Sequence, residues 1–324
     1  MNVGILGTGG IVKSIAPTLA KMEGMYCYAI ASRTRERGKE AAAEYGFEKG
    51  YGSYEELLAD EAVELVYIAT PHSRHFEDMK LCLRYGKPVL CEKAFTLNAK
   101  QAREIKALAE KKKIYVAEAI WPRYMPSRSI IQDIVDSGIV GEIKTLTANL
   151  SYPIAHVERL VAPALAGGAL LDIGVYGLNF AFMHFGTEIV RIDSSVQFTE
   201  TGVDGSENIT IHYKDGRMAV LTHSIYGRSD RAGIFYGEKG YIVVENINNP
   251  SAVSVYDTED RLIKKVEMPA QISGYEYQFA EALERIKNGE WQSVSMPLDD
   301  SIFVMEQMDR LRKDWGLTYP QEKS

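Results

Sequence analysis

The sequence predicts an α/β protein: an N-terminal doubly wound parallel sheet followed by a C-terminal α+β domain with an open, largely antiparallel sheet. Three observations carry this. Short apolar runs alternate with helix-length amphipathic segments over roughly the first 120 residues, as in repeated strand–helix units. The first run ends in a glycine-rich turn, Gly7-Thr8-Gly9-Gly10. From Tyr124 onward, strand-like segments with alternating apolar and polar residues dominate. A chain of 324 residues fits two domains of ordinary size. The division is expected at 1–122 and 123–324, with a helix near 299–315 packing back on the first domain.

Asn2 to Leu6 reads as the first strand, and Ile11, Ile15, Leu19 and Met22 mark the helix after the turn. A strand, glycine turn and helix in this order present backbone N–H groups of Gly7 to Ile11 and a helix N-terminus to a pyrophosphate, the dinucleotide-binding (Rossmann) arrangement. The third small position of G-x-G-x-x-G is occupied by Val12. The second strand, Met25 to Ala31, runs into Ser32-Arg33-Thr34-Arg35. An acid there would bind a ribose 2′-OH, whereas a hydroxyl and guanidinium groups suit a 2′-phosphate. The expected cofactor is therefore NADP rather than NAD, held by Ser32 and Arg33, with Arg37 a further candidate.

The alternation continues with a helix over Arg35 to Tyr45 and a capping box, Ser53 to Glu56, ahead of Leu57-Leu58. Leu65 to Ala69 is a strand whose end, Thr70-Pro71-His72, is expected to line the cofactor crevice, with His75 close by. A helix over Phe76 to Tyr85 leads into Pro88 to Cys91, a strand that ends in Glu92-Lys93. Ligands of open parallel sheets bind at the carboxyl ends of strands. A lysine after a strand is ordinarily a surface residue, but this position suits Lys93 to act on a bound ligand, with Glu92 on the cofactor side. Asn98 with Gln101 caps a helix running to Lys112. After the strand Ile114 to Ala117, Trp121 and Arg123 form a candidate planar wall for the cofactor.

In the second half, a helix over Ser129 to Ser137 precedes strands at Ile143–Leu150, Ile189–Phe198, Glu207–Tyr213, Met218–Tyr226, Arg231–Tyr236 and Tyr241–Glu245. Between the first two lies Gly167-Gly168 followed by Asp172 and Tyr176, whose four-residue spacing puts both on one helix face. Tyr152 and Tyr275 are candidate substrate contacts. Tyr275 opens a helix to Lys287, and Ile302, Met305, Met308 and Leu311 mark a core helix over Asp299 to Trp315. The tail, 321–324, is expected to fray.

Composition narrows the function. The apolar share of 46% and charged share of 25% are those of a globular protein. A net charge of −7 gives no general attraction to nucleic acid or anionic lipid. The apolar runs fall short of the ~20 residues of a membrane span. No basic segment precedes an apolar one at the N-terminus, and Cys27, Cys82 and Cys91 suggest no disulfide framework. A cytoplasmic, reducing location is expected. The six histidines lack zinc-site spacing, and no metal is expected.

Three stretches, GILGTGGI at 4–11, IATPHSRH at 68–75 and GKPVLCEKA at 86–94, resemble the Gfo/Idh/MocA family of pyridine-nucleotide oxidoreductases. The family hallmark Glu-Lys-Pro stands here as Glu92-Lys93-Ala94. EAIWPRYMP at 118–126 is most similar to the branch of dimeric trans-dihydrodiol and NADP-dependent xylose dehydrogenases. The resemblance implies hydride transfer between a nicotinamide and a hydroxyl or carbonyl of a sugar-like or cyclic trans-diol substrate. It further implies that Asp172 and Tyr176 are catalytic with Lys93, and that the free face of the C-terminal sheet forms a homo-oligomer.

An alcohol that gives up a hydride must also lose a proton. Tyr and Lys ordinarily titrate near ~10 and ~10.4, and a neighbouring ammonium favours the phenolate. Tyr176 is then the general acid/base, with Lys93 its electrostatic partner and a donor to the substrate oxygen. Asp172 orients Lys93 or a substrate hydroxyl, and Lys93 as the proton carrier remains open. The alternative class is a non-catalytic NADP-binding sensor of the same fold, which turnover of any alcohol would exclude.

Overall fold

A computed structural model describes residues 1–322. The chain divides into two compact units: Met1–Tyr124 with Gln271–Glu306, and Met125–Ala270 with the segment from Gln307. The single cut expected at 122/123 misses the return of 271–306 to the first unit.

The first unit is built on β1 (Asn2–Leu6), α1 (Val12–Leu19), β2 (Tyr26–Ala31), α2 (Arg35–Tyr45), β3 (Lys49–Tyr51), α3 (Tyr54–Ala59), β4 (Leu65–Ile68), α4 (His72–Arg84), β5 (Val89–Glu92), α5 (Ala99–Lys112) and β6 (Val116–Ala119). The sheet order is β3-β2-β1-β4-β5-β6 and every pairing is parallel. Val3, Ile5, Leu65 to Ile68 and Val89 to Cys91 have no exposure, so both faces of the central strands are covered, as in parallel sheets generally. The order reverses at β1, which places the ligand crevice of this fold beyond the carboxyl ends of β1 and β4.

Local chemistry sets the helix starts. Thr34 accepts from the Arg37 N–H, Ser53 from the Glu56 N–H and Asn98 from the Gln101 N–H. Of the acceptors three residues on, Glu56 takes the Gly52 N–H and Gln101 the Leu97 N–H. The edge strand β3 was not expected. It is held by backbone proximity: a Cβ on Gly38 would lie 2.1 Å from the Tyr51 carbonyl oxygen, and one on Gly50 2.4 Å from the Gly38 oxygen.

The second unit contains α6 (Ser127–Asp136), β7 (Ile143–Ser151), α7 (Glu158–Val161), α8 (Val175–Phe185), β8 (Ile189–Phe198), β9 (Asp204–Tyr213), β10 (Met218–Ser224), β11 (Gly233–Gly237), β12 (Gly240–Val244), β13 (Ala252–Asp257) and β14 (Leu262–Glu267). Its sheet order is β14-β13-β12-β11-β7-β10-β9-β8, antiparallel except where β10 meets β7. The last two strands extend the sheet beyond the expected set. On one face Leu146, Ala148, Ile209, Ile211, Ala219, Leu221, Phe235 and Ile242 are buried, and α8 packs there on β7 and β10. Contrary to the reading of short apolar runs, the helical stretch Pro163–Phe185 has 23 residues and an 18-residue window of mean hydropathy 1.4, long and apolar enough to cross a membrane. Its most apolar window is 89% buried, so it serves here as a core helix.

The return segment adds α9 (Glu276–Lys287) to the first unit, with Phe279 and Ala282 in the core and the Phe279 ring 5.3 Å from that of Tyr67. The helix α10 (Leu298–Trp315) begins in the first unit and ends in the second. Gln321 and Glu322 are ordered rather than frayed. Glu322 accepts from the Arg312 guanidinium at 2.7 Å, and the Gln321 amide donates to the Ala164 carbonyl. Lys323 and Ser324 lie outside the described residues.

Candidate active site

The glycine turn fits a dinucleotide. Gly7 has φ +95° and donates its N–H to the Ala31 carbonyl at 3.0 Å. A Cβ there would stand 2.9 Å from the Ala69 carbonyl oxygen, and one on Gly9 3.1 Å from the same atom, while Gly10 has no such neighbour within 4 Å. The turn therefore runs tight against the end of β4 and leaves its backbone open beyond it. No side chain caps α1 at Ile11, so its N-terminus is available to an anion. Val12, in the place of the third glycine, is fully buried in the core of the unit.

At the end of β2, Ser32 is mostly buried and donates its N–H to the Tyr51 carbonyl. Arg33 is exposed, and Arg37, also exposed, pairs with Glu40 at 3.5 Å. No acid occupies 32–35. The end of β2 thus offers a hydroxyl and cations to a phosphate.

Lys93 follows β5, on a stretch held from several sides. The Tyr67 hydroxyl donates to Glu92 Oε1, and the Lys93 N–H to Glu92 Oε2 at 3.2 Å. His75 Nδ1 lies 2.8 Å from the Ala94 carbonyl oxygen, and the Phe95 N–H donates to Glu118 Oε1 at 3.1 Å. The Lys93–Ala94 peptide bond is cis. Burial pushes the Glu118 carboxyl up to about 7 and His75 down to about 4.

Two expected cofactor contacts turn out to be internal supports. His75 has no exposure, and its second nitrogen lies 2.9 Å from the Thr70 carbonyl oxygen, so it faces the protein interior. Arg123 is 4% exposed and pairs with Asp300 at 2.6 Å. The Thr70 hydroxyl likewise turns inward to Asp78, at 2.8 Å. Pro71 precedes α4 in extended conformation, and His72 opens that helix with its ring edge-on to His75. Trp121 and Tyr275, expected on different ligand walls, stack on each other with centroids 4.3 Å apart.

In the second unit, Val175 donates its N–H to the Leu170 carbonyl five residues back. Leu170–Gly174 is thus a π-turn running straight into α8, a feature frequent at functional sites. It carries Asp172, and the first turn of α8 carries Tyr176. Asp172 is buried and pairs with Arg159 Nη1 at 2.8 Å. Sequence reasoning missed Arg159, because a lone arginine in a loop carries no spacing signal. Tyr152 lies just past β7, half-buried, and donates its N–H to the Ser224 carbonyl. Among the described residues no three His, Cys, Asp or Glu side chains group as a metal site.

Comparison with known proteins agrees with these features. Residues 1–119 match the profile of an oxidoreductase family with an NAD-binding Rossmann fold, and residues 130–243 that of the GFO/IDH/MocA C-terminal domain. The chain is 31% identical to the trans-1,2-dihydrobenzene-1,2-diol dehydrogenase of Mus musculus, covering 99% of this chain and 98% of that one. It is 33% identical to the Homo sapiens protein of the same name, over 91% and 90% of the two chains. Among solved structures, a 3-ketoreductase from Actinomadura kijaniata in complex with NADP and TDP-benzene superposes with a TM-score of 0.88 at 25% identity, covering 97% of each chain.

Proposed function

The chain belongs to the Gfo/Idh/MocA family of NAD(P)-binding oxidoreductases, and from that membership we propose that it is an NADP-dependent dehydrogenase or reductase of a sugar-like or cyclic trans-diol substrate. The observation that carries the reading is Lys93 at the carboxyl end of β5, on a stretch braced by Glu92, His75 and Glu118. The names of the relatives, a diol dehydrogenase and a ketoreductase, support the substrate class.

The pyrophosphate would be held by the backbone of Gly7 to Ile11, and a 2′-phosphate by Ser32 and Arg33. The bound nicotinamide supplies the hydride acceptor or donor. Lys93 donates a hydrogen bond to the substrate oxygen and stabilises negative charge on it. Tyr176 removes or returns the hydroxyl proton. Asp172, fixed by Arg159, orients a substrate hydroxyl. We also propose that the open face of the eight-stranded sheet joins two copies of the chain.

The test is NADPH formation by purified protein with trans-dihydrodiols, aldoses and inositols, run in parallel with NAD. Turnover restricted to NADP is expected. Lys93→Met and Tyr176→Phe should each lose on the order of 100-fold or more in kcat, with NADPH still bound. Full turnover by both variants would sink the assignment, and NADPH binding without turnover of any substrate would favour a sensor.

A further inference from the structure

The second unit buries three ionisable side chains that the proposed chemistry does not use. Asp204, Glu207 and His223 have 0%, 1% and 0% exposure. Strict alternation puts Glu207 on the inward face of β9 with Ile209 and Ile211, and His223 on the inward face of β10 with Ala219 and Leu221. Glu207 and His223 are direct cross-strand partners, and His223 Nδ1 lies 2.9 Å from Glu207 Oε1. Asp204 Oδ2 accepts the N–H of Leu170, the first residue of the π-turn, at 2.5 Å.

The helical stretch above this cluster is shaped to it by three glycines. A Cβ on Gly168 would fall 2.1 Å from Asp204 Oδ1, one on Gly174 2.2 Å from Glu207 Oε1, and one on Gly177 2.1 Å from His223 Nε2. Each polar group meets bare backbone where an added Cβ would force either the group or the segment to shift. Asp172 and Tyr176 lie within the span of those glycines. Burying three such groups is costly unless their hydrogen bonds are made. An apolar triple would seat the helix without that cost, so the cluster points to fixing its position.

We propose that Asp204, Glu207 and His223 are positioning residues of the reaction, a proton-sharing brace that sets the height and rotation of the segment carrying Asp172 and Tyr176. The proposal rests on the assignment of those two residues above. Asp204 acts as the acceptor at the start of the segment, supplied from a strand instead of from the preceding turn. Glu207 Oε1 and His223 Nδ1 share one hydrogen bond. Burial pushes both carboxyls up to about 8, helped at Asp204 by the neighbouring Glu207 charge, and burial pushes His223 down to about 3. The carboxyl pair therefore keeps a proton at neutral pH and the imidazole stays neutral, so the brace carries little net charge into the core. Burial and the charges of both carboxyls push up the phenol of Tyr319, which donates to the Gly167 carbonyl at 2.8 Å, and the Arg312 guanidinium lies over its ring, 4.9 Å from the centroid.

The experiment compares Asp204→Asn, Asp204→Ala and Tyr176→Phe for kcat, substrate KM, NADPH dissociation constant and melting temperature. Asp204→Asn keeps an acceptor for the Leu170 N–H and should retain most of kcat. Asp204→Ala should lose ~10–100-fold in kcat, the scale of an ~1 Å misplacement, with NADPH affinity unchanged. A folded Asp204→Ala enzyme with wild-type kcat overturns the brace. Full turnover by Tyr176→Phe overturns only the tyrosine's assignment, and a loss in Asp204→Ala then still counts for a brace acting on this helix. Should Asp204→Ala not fold, Gly177→Ala is measured with and without His223→Ala. The methyl should lower kcat on its own, and removing the ring it meets should restore most of the loss. No relief in the double variant overturns the proposal.

Discussion

His75 lies with Nδ1 2.8 Å from the carbonyl oxygen of Ala94, the residue after Lys93, and with Nε2 2.9 Å from the carbonyl oxygen of Thr70. One buried ring thus ties the end of β4 to the residue that follows the lysine. The neutral ring carries one N–H, so replacing it with leucine leaves one of these carbonyls unmet, at about 1–3 kcal/mol. It also loosens the backbone under Lys93. His75→Leu should lower kcat by ~10–100-fold and alter NADPH affinity far less, as read by steady-state kinetics and fluorescence titration. An equal loss in both would assign the ring to cofactor binding instead.

The sequence made much of this frame legible and hid the rest for physical reasons. The strand, glycine turn and helix at the N-terminus, and the caps at Ser53 and Asn98, are local, so pattern alone revealed their places. The strand β3 escaped because Lys49-Gly50-Tyr51 has no apolar rhythm and is held by a contact between two glycines far apart in sequence. The strand β14 escaped because its residues are almost all exposed. Arg123 and His75 read as ligand contacts because a polar residue next to a strand end looks the same whether it faces a crevice or the interior. Only the partners, Asp300 and Ala94, separate the two. Glu207 and His223 did carry a signal, a charged residue in register with buried Ile209 and Ile211 and a histidine in register with Leu221.

Cofactor preference should lie with Ser32 and Arg33. Arg33→Ala removes a charge-assisted contact worth about 1.5–3 kcal/mol when made to an anion. NADPH should then bind ~10–100-fold more weakly, with NADH affinity little changed. Ser32→Asp should move the preference further toward NAD by placing a carboxylate where a 2′-OH donates. Isothermal titration with both nucleotides checks this, and parallel losses for NADPH and NADH would place the 2′-phosphate elsewhere.

Glu118 predicts a pH dependence of stability. Its carboxyl is fully buried and raised to about 7 in the folded protein, from an ordinary value of 4.5. The folded chain therefore binds more protons than the unfolded chain between those values, and stability falls as pH rises through that window. A shift of this size corresponds to roughly 3 kcal/mol, present in full below pH 4.5 and lost by about pH 7. Glu118→Gln, which stays neutral, should remove that slope. Melting temperatures of both proteins from pH 4.5 to 8 check it, and identical slopes would mean that Glu118 titrates normally.

The open face of the second sheet predicts the assembly. Tyr236, Tyr241 and Tyr256 stand opposite one another on β11, β12 and β13, with successive ring centroids 6.3 and 5.1 Å apart. The row continues through Thr145, Met218 and His212. Ile234 and Val243 lie alongside it on the same face, and Tyr236 is 41% exposed. A broad face of aromatic and β-branched residues, opposite the buried face on which α8 packs, suits a two-fold contact, in which each copy presents the same strip to the other. The wild-type chain should run at twice its 36.2 kDa mass in light scattering after gel filtration. Tyr236→Asp buries a carboxylate against its own image and should give a monomer that keeps its melting transition. A wild-type monomer at micromolar concentration would mean that this face is simply solvated.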